Sequence, residues 1–291
     1  MRWMIGLDLR NLAAGAVSFA RWVQAQAPDH EFYGVHVVES LPQSLLGESA
    51  PSPKQIRAVA DNALSPLRDD GLVTELGAIE ATAAEDGLVA ACNDKNADAL
   101  IVGRIKPSDE ETLVRLGRVT RRLMRMLPRP TVVVPPNLDV ATIPDGPIVL
   151  ATDLGDASAG AARFARSIAT ALGRDLLVTY IVRLPDHLDV YLPADAWSNL
   201  KGSADGRSRE SLTRWVADHG LNDGDNEVRT SVVHGTPALA IQDVAKVSSA
   251  SMLVVGSRGL QAAQRLFTSS VGTEIAAASP IPVAVVPATY R

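Results

Sequence analysis

An apolar run that closes on Val254-Val255-Gly256-Ser257-Arg258-Gly259 is followed, after nine intervening residues, by Ser269-Ser270-Val271-Gly272-Thr273 at the predicted start of a helix. Residues of these types at this spacing can hold a phosphate. Glycines at the C-terminal end of a strand let the backbone adopt positive φ and approach a ligand closely, while the unpaired amides of a helix N-terminus attract anions. A Gly-x-x-Gly turn alone is common, so its weight depends on the elements that position it.

Those elements occur twice. Met4-Ile5-Gly6-Leu7-Asp8 matches Val149-Leu150-Ala151-Thr152-Asp153, and each is followed by a small-residue helical stretch, Leu12 to Gln24 and Ser158 to Leu172. Tyr33 to Val38 matches Leu177 to Val182, Ala99 to Gly103 matches Met252 to Gly256, and Pro130 to Pro135 matches Pro282 to Pro287. A period of about 145 residues is a domain duplication, not a solenoid repeat.

Apolar runs of four to six residues, rich in Val and Ile and without polar alternation, read as strands buried on both faces, as in parallel sheets covered by helices. Helical patterns lie between them at Ile56 to Leu67, Leu88 to Asn93, Leu116 to Leu127, Arg209 to Asp218, Ala238 to Val247 and Val271 to Ala278. The predicted fold is α/β: two tandem doubly wound domains, 1–140 and 147–291, each a five-stranded parallel sheet flanked by helices. Pro, Asn, Asp and Gly between Pro136 and Pro147 mark the boundary. Glu39 to Lys54 and Arg183 to Arg207, rich in Pro, Gly and Ser, read as long surface connections.

Composition narrows the function classes. With 291 residues, 46% of them apolar, each half is long enough to bury its own core. No apolar run approaches the roughly 20 residues that cross a bilayer, and strand-like sequence begins almost at Met1 without a signal-peptide pattern, so the expectation is a cytoplasmic protein without a membrane span. Net charge is -5, with 15 basic and 18 acidic residues up to position 140 and 13 and 15 beyond it, which argues against nucleic acid as a partner. The single cysteine, Cys92, excludes an intrachain disulfide and reads as a small buried hydrophobe.

In doubly wound sheets ligands bind beyond the carboxyl ends of the strands. In the second half that edge receives Asp153 after the first strand, Val182 after the second, His234-Gly235-Thr236-Pro237 after the third and Gly256 after the fourth. Here the chain resembles the universal stress protein family, in which a strand ends in Gly-x-x-Gly, nine residues follow, and Gly-Ser or Gly-Thr opens the last helix. Gly256, Gly259 and Ser270 fall on that pattern in register, Asp153 falls on the acidic residue after strand one, and Pro280-Ile281-Pro282-Val283 is similar to the entry to strand five. The resemblance extends over nearly the whole chain and implies a tandem member. It also implies a stress-response regulatory protein that binds ATP or a related adenine nucleotide, with or without Mg2+. Asp153 and Val182 would then lie around the nucleoside, with Gly235 on the same edge and Gly256, Gly259, Ser269 and Ser270 at the phosphates.

Departures from the pattern leave alternatives open. Ser269 stands where the family has its third glycine; a non-glycine residue at positive φ costs about 1 kcal/mol, though its hydroxyl can donate to an anion or cap the helix. The second-half site is therefore either a working nucleotide site or an emptied remnant. In the first half Lys106 replaces the second glycine, Arg118 falls at the hydroxyl position, and Glu85 and Asp86 occupy the turn after strand three. That half reads as a decayed pseudo-site, or as one whose Lys106 and Arg118 take a different anion. Arg115, Arg118, Arg122, Arg125 and Arg129 form one basic stripe, a solvated helix face or a docking surface for an acidic partner, opposite Leu116, Val119, Leu123, Met126 and Leu127.

Other readings are plainer. His36 is expected to be a packed sheet residue, and His234 has no second His or Cys at metal-ligand spacing, which argues against zinc. Trp3, Trp22 and Trp215 read as packing residues, with Trp197 in the long connection as the exception. Asp153-Leu154-Gly155-Asp156-Ala157-Ser158 lacks the Ser-Gly-Gly-x-Asp-Ser turn of pyrophosphate-cradling enzymes, and no nucleophile elbow or carboxylate pair stands out. A binding or regulatory protein is expected, with at most slow ATP hydrolysis. The rival is a nucleotide-free interaction scaffold acting through an unidentified protein partner. Pro-bounded strands at Thr131 to Val134 and Val283 to Val286 match those that, in the family, pair domain with domain. The resemblance thus implies a pseudo-dimer within the chain, with a further homodimer as an extension of it.

Overall fold

The computed structural model of the chain describes residues 1–9, 14–40, 52–104, 116–183, 188–257 and 271–291. It divides into two compact units, Met1–Ile143 with Ala276–Pro282, and Pro144–Ile275 with Val283–Arg291.

The first unit alternates β1 (Arg2–Gly6), α1 (Ala14–Gln26), β2 (Glu31–Glu39), α2 (Pro53–Arg68), β3 (Glu75–Ala81), α3 (Ala84–Asp94), β4 (Ala99–Gly103), α4 (Arg118–Met126) and β5 (Thr131–Val134). Its sheet runs β3-β2-β1-β4-β5, with parallel pairs throughout. In the second unit the order is β6 (Ile148–Thr152), α5 (Ala159–Ala171), β7 (Leu176–Val182), α6 (Leu188–Tyr191), α7 (Ala194–Asp218), β8 (Val228–His234), α8 (Pro237–Val247), β9 (Met252–Gly256), α9 (Val271–Ala278) and β10 (Val283–Val286). Its strands lie β10-β9-β6-β7-β8, again all parallel. The winding reverses between β1 and β4, and between β6 and β9, which makes those two junctions the crevices of the units.

The inner strands are dry because helices cover both faces. All four residues of β5 and of β10 are buried, as are the first four of β4 and of β9. Trp3 is fully buried, stacks on Phe32, meets Phe19 edge-on, and donates its indole N–H to His30 Nδ1 at 3.0 Å. Burial is the main cause that lowers the His30 pKa, which keeps its nitrogen free to accept. Cys92 and His36 behave as their sequence context predicts: Cys92 is fully buried, and His36 Nδ1 donates to the Leu7 carbonyl at 2.8 Å.

The duplication extends to a contact that strand patterns do not show. A Cβ on Gly15 of α1 would stand 2.0 Å from the Pro135 carbonyl oxygen, and one on Gly160 of α5 would stand 2.7 Å from that of Pro287. In each unit the first helix therefore lies directly against the chain leaving the last strand, and only glycine fits.

Two expectations are corrected. The stretch read as a long connection, Arg183 to Arg207, contains the whole front half of α7, a helix of 25 residues that begins at Ala194. Gly202 and Gly206 interrupt helix propensity there, but that part of the helix is largely exposed, and Lys201 lies over the Trp197 ring one turn away at 5.9 Å. On α4, Met124 is the buried methionine and Met126 is 44% exposed, so the apolar face is Leu116, Thr120, Leu123, Met124 and Leu127. Two capping side chains mark α2 as legible: Ser52 accepts from the Gln55 amide at 3.3 Å, and Gln55 accepts from the Ser52 amide at 2.7 Å. No helix among the described residues is long and apolar enough to cross a membrane.

Candidate functional site

The crevice of the second unit lies where β6 and β9 end side by side, with Ala151 paired to Val255. Asp153, first after β6, is exposed, and its Oδ1 accepts from the Gly155 amide at 3.1 Å and from the Ser158 hydroxyl at 2.7 Å. Thr152 braces the same turn by accepting the Leu154 amide at 2.9 Å. Leu154 sits at φ +63, a conformation that costs an L-residue about 1 kcal/mol, so the backbone is strained beside Asp153. The turn then tightens through a short 3-10 segment, Asp156–Ser158, into α5.

Gly256 ends β9 against this turn. A Cβ there would be 3.5 Å from the Ser158 Cα and 3.6 Å from both the Ala157 oxygen and the Ala161 Cβ, ordinary contact distances. Gly256 is also absent from the positive-φ residues, which corrects the expectation that it supplies a left-handed turn. Its contribution is bare backbone at the mouth of the crevice. The next residue, Ser257, donates its amide to the Val286 carbonyl at 2.7 Å, while its hydroxyl is buried with no hydrogen-bond partner among the described residues.

Positive φ occurs instead at Gly235, at +141, just beyond β8. Its amide donates to the Val182 carbonyl at 3.3 Å, tying the ends of β7 and β8 together where Val182 pairs with His234. Val182 is 8% exposed, so it lines the edge from beneath. His234 Nε2 meets Asp205 Oδ1 of α7 at 2.5 Å, and its Nδ1 is buried without a partner among the described residues. Asp205 escaped sequence reasoning because it lay in the stretch read as loop.

The structure thus brings Asp153 and Gly256 together, and Val182 and Gly235 together, along adjacent strand ends. Gly259, Ser269 and Ser270 lie outside the described residues. Among the described residues no group of three or more His, Cys, Asp or Glu could hold a metal ion.

The corresponding edge of the first unit has a different chemistry. Glu39, last residue of β2, accepts the Ala84 amide at 2.9 Å and the Arg118 guanidinium at 2.5 and 2.6 Å. Glu85 accepts from Arg122, and its second oxygen is buried with no partner among the described residues. The Arg118 hydrogen bond, then the Ala84 amide, hold the Glu39 carboxyl below the usual range, and Glu39 in turn raises Arg118. Arg118 is therefore already engaged by a carboxylate, and two members of the predicted basic stripe are paired within their own unit. Lys106 and Arg115 lie outside the described residues.

Fold and crevice define the class as a tandem of doubly wound α/β units. The sequence matches the universal stress protein family over residues 1–135 and again over 146–287, so the chain belongs to that family. Solved structures agree at the level of fold. A functionally unknown protein from Pseudomonas aeruginosa PAO1 shares 14% identity, covering 99% of this chain and 92% of that one, with a TM-score of 0.68. A universal stress protein from Archaeoglobus fulgidus DSM 4304 shares 16% identity over 99% of this chain and 98% of that one, also with a TM-score of 0.68. A universal stress protein in complex with cAMP aligns over 50% of this chain and 98% of its own, at 25% identity and a TM-score of 0.39. No curated protein matches the sequence.

Proposed function

We propose that the chain is a stress-response regulatory protein whose second unit binds ATP or a related adenine nucleotide and whose first unit carries a degenerate site. The observation that carries this reading is the placement of Asp153 and Gly256 at the β6/β9 junction, where doubly wound sheets bind ligands, with Val182 and Gly235 at the neighbouring ends of β7 and β8. Asp153, held by Gly155 and Ser158, presents a fixed acceptor suited to ribose hydroxyls. Bare backbone at Gly256 and the unpartnered Ser257 hydroxyl lead toward the phosphates, for which Gly259, Ser269 and Ser270 are the further residues. An orphaned buried hydroxyl at this place fits an anion acceptor. Magnesium would arrive with the triphosphate, since it keeps most of its own waters and needs few protein ligands.

Calorimetric titration of ATP with magnesium into the full chain tests the reading, with Gly256→Ala and Gly256→Asp as variants. The room around position 256 lets alanine fold and bind, whereas aspartate places a charge at the phosphates. Saturable binding lost only with aspartate supports the site. A second reading, a nucleotide-free interaction scaffold, draws on Val190 and Tyr191 of α6, which are 74% and 80% exposed. Absence of binding at millimolar ATP would favour it.

A further inference from the structure

The carboxylate of Glu39 has an unusual set of partners for a residue at the end of a buried strand. Ala84 is the first residue of α3 and Arg118 the first of α4; the carboxylate takes the backbone amide of the one and the side-chain guanidinium of the other. Neither helix has a side-chain cap of its own: Ala83 and Gly117 occupy the cap positions, and neither makes a capping hydrogen bond. An anion is what such a place lacks, because the free amides and the positive helix ends both favour one. Glu39 supplies it from 45 residues upstream of Ala84 and 79 upstream of Arg118. Beside it Glu85 takes Arg122, so two carboxylates answer two guanidiniums and no net positive charge remains between these four groups.

Among the described residues the second unit shows no equivalent: by strand register Val182 corresponds to Val38, and the position of Glu39 falls on Arg183, whose cationic side chain cannot stand in for an anion. We propose that Glu39 is a resident anion that takes the donors an incoming phosphate would need, and is thereby the specificity-determining residue that closes the first unit to nucleotides. The contrast between the units rests on the nucleotide reading of the second; the occupancy of the first does not.

Titration of the full chain with ATP, and separately with inorganic pyrophosphate, tests this in wild type, Glu39→Ala and Glu39→Ala/Arg118→Ala. Removing the carboxylate is expected to add one anion site per chain, with affinity tighter than that of the wild-type first unit by a factor of ~10 or more. The double variant is expected to lose the added site, because the guanidinium that would bind it is gone. The wild-type stoichiometry scores the second unit by itself, and the difference between wild type and variant scores Glu39, so each can fail alone. A folded Glu39→Ala chain with unchanged stoichiometry overturns the proposal, as does a gain that survives Arg118→Ala. Should Glu39→Ala not fold, Glu39→Gln keeps the shape and removes the charge under the same criteria. Failure of both to fold also overturns it, since Glu39 would then be a structural clamp.

Discussion

Arg122→Ala is expected to destabilise the first unit more than Glu85→Gln, although both remove the same ion pair. The side chain of Glu85 is 5% exposed and that of Arg122 is 48% exposed, so the two residues lose different things when left alone. A guanidinium stripped of its partner can turn to water. A carboxylate stripped of its partner stays in place, with one oxygen already lacking a hydrogen bond. Breaking buried pairs in this direction costs about 3–5 kcal/mol. With half of Arg122 in solvent, a loss of about 2–3 kcal/mol follows for Arg122→Ala, against about 0.5–1.5 kcal/mol for Glu85→Gln. Cys92, buried on α3 and the sole cysteine, reports the opening of this unit through its rate of labelling by a pyridyl disulfide. Equal losses for the two variants, or a larger one for Glu85→Gln, would refute the assignment of the burial penalty to the carboxylate.

Three further outcomes are expected. Burial pushes the Cys92 thiol from 9.0 up to about 12. Native labelling at pH 8 should therefore be slower than that of the unfolded chain by ~10³-fold, and stability should decline as pH rises from the ordinary thiol value toward the raised one. Fast native labelling would contradict this. Because the Glu39 carboxyl is held low, its contribution to stability is present above about pH 4.3 and is lost as pH falls through the lowered value. Thermal midpoints measured down to pH 3 should thus fall less steeply in Arg118→Ala than in wild type. Gly15→Ala and Gly160→Ala should each lower the thermal midpoint, with a cost of about 1–3 kcal/mol or more, and Gly15→Ala should cost more because its Cβ would lie 2.0 Å from a carbonyl oxygen against 2.7 Å.

The strands were legible because burial on both faces leaves unbroken runs such as Leu100 to Val102 and Leu253 to Val255, and the duplication gave their order twice. The front of α7 was hidden, since only Leu212, Trp215 and Val216 of its 25 residues are buried and no apolar stripe marks its first turns. Asp153, Val182, Gly235 and Gly256 could be placed on one edge from strand ends alone, whereas the backbone angles could not: the positive φ expected at Gly256 lies at Gly235 and at Leu154. The pairing of Arg118 with Glu39 was invisible for another reason. Its partners lie 79 residues apart, and nothing in the local sequence of either says which charge the fold will bring to it.

The position of β1 in its sheet carries a consequence for synthesis. Trp3, Met4 and Ile5 are at most 2% exposed in the finished unit, yet they pair on one side with Phe32 to Gly34 and on the other with Ala99 to Ile101. At translation rates of about 5–20 residues per second, the second neighbour leaves the ribosome roughly 5–20 s after the first strand. During that interval a strand with three buried apolar residues has one ladder unfilled, and the same wait recurs when β6 precedes β9. Nascent chains of this protein are therefore most vulnerable to misassociation at their central strands, the very ones that are best protected once each sheet is complete.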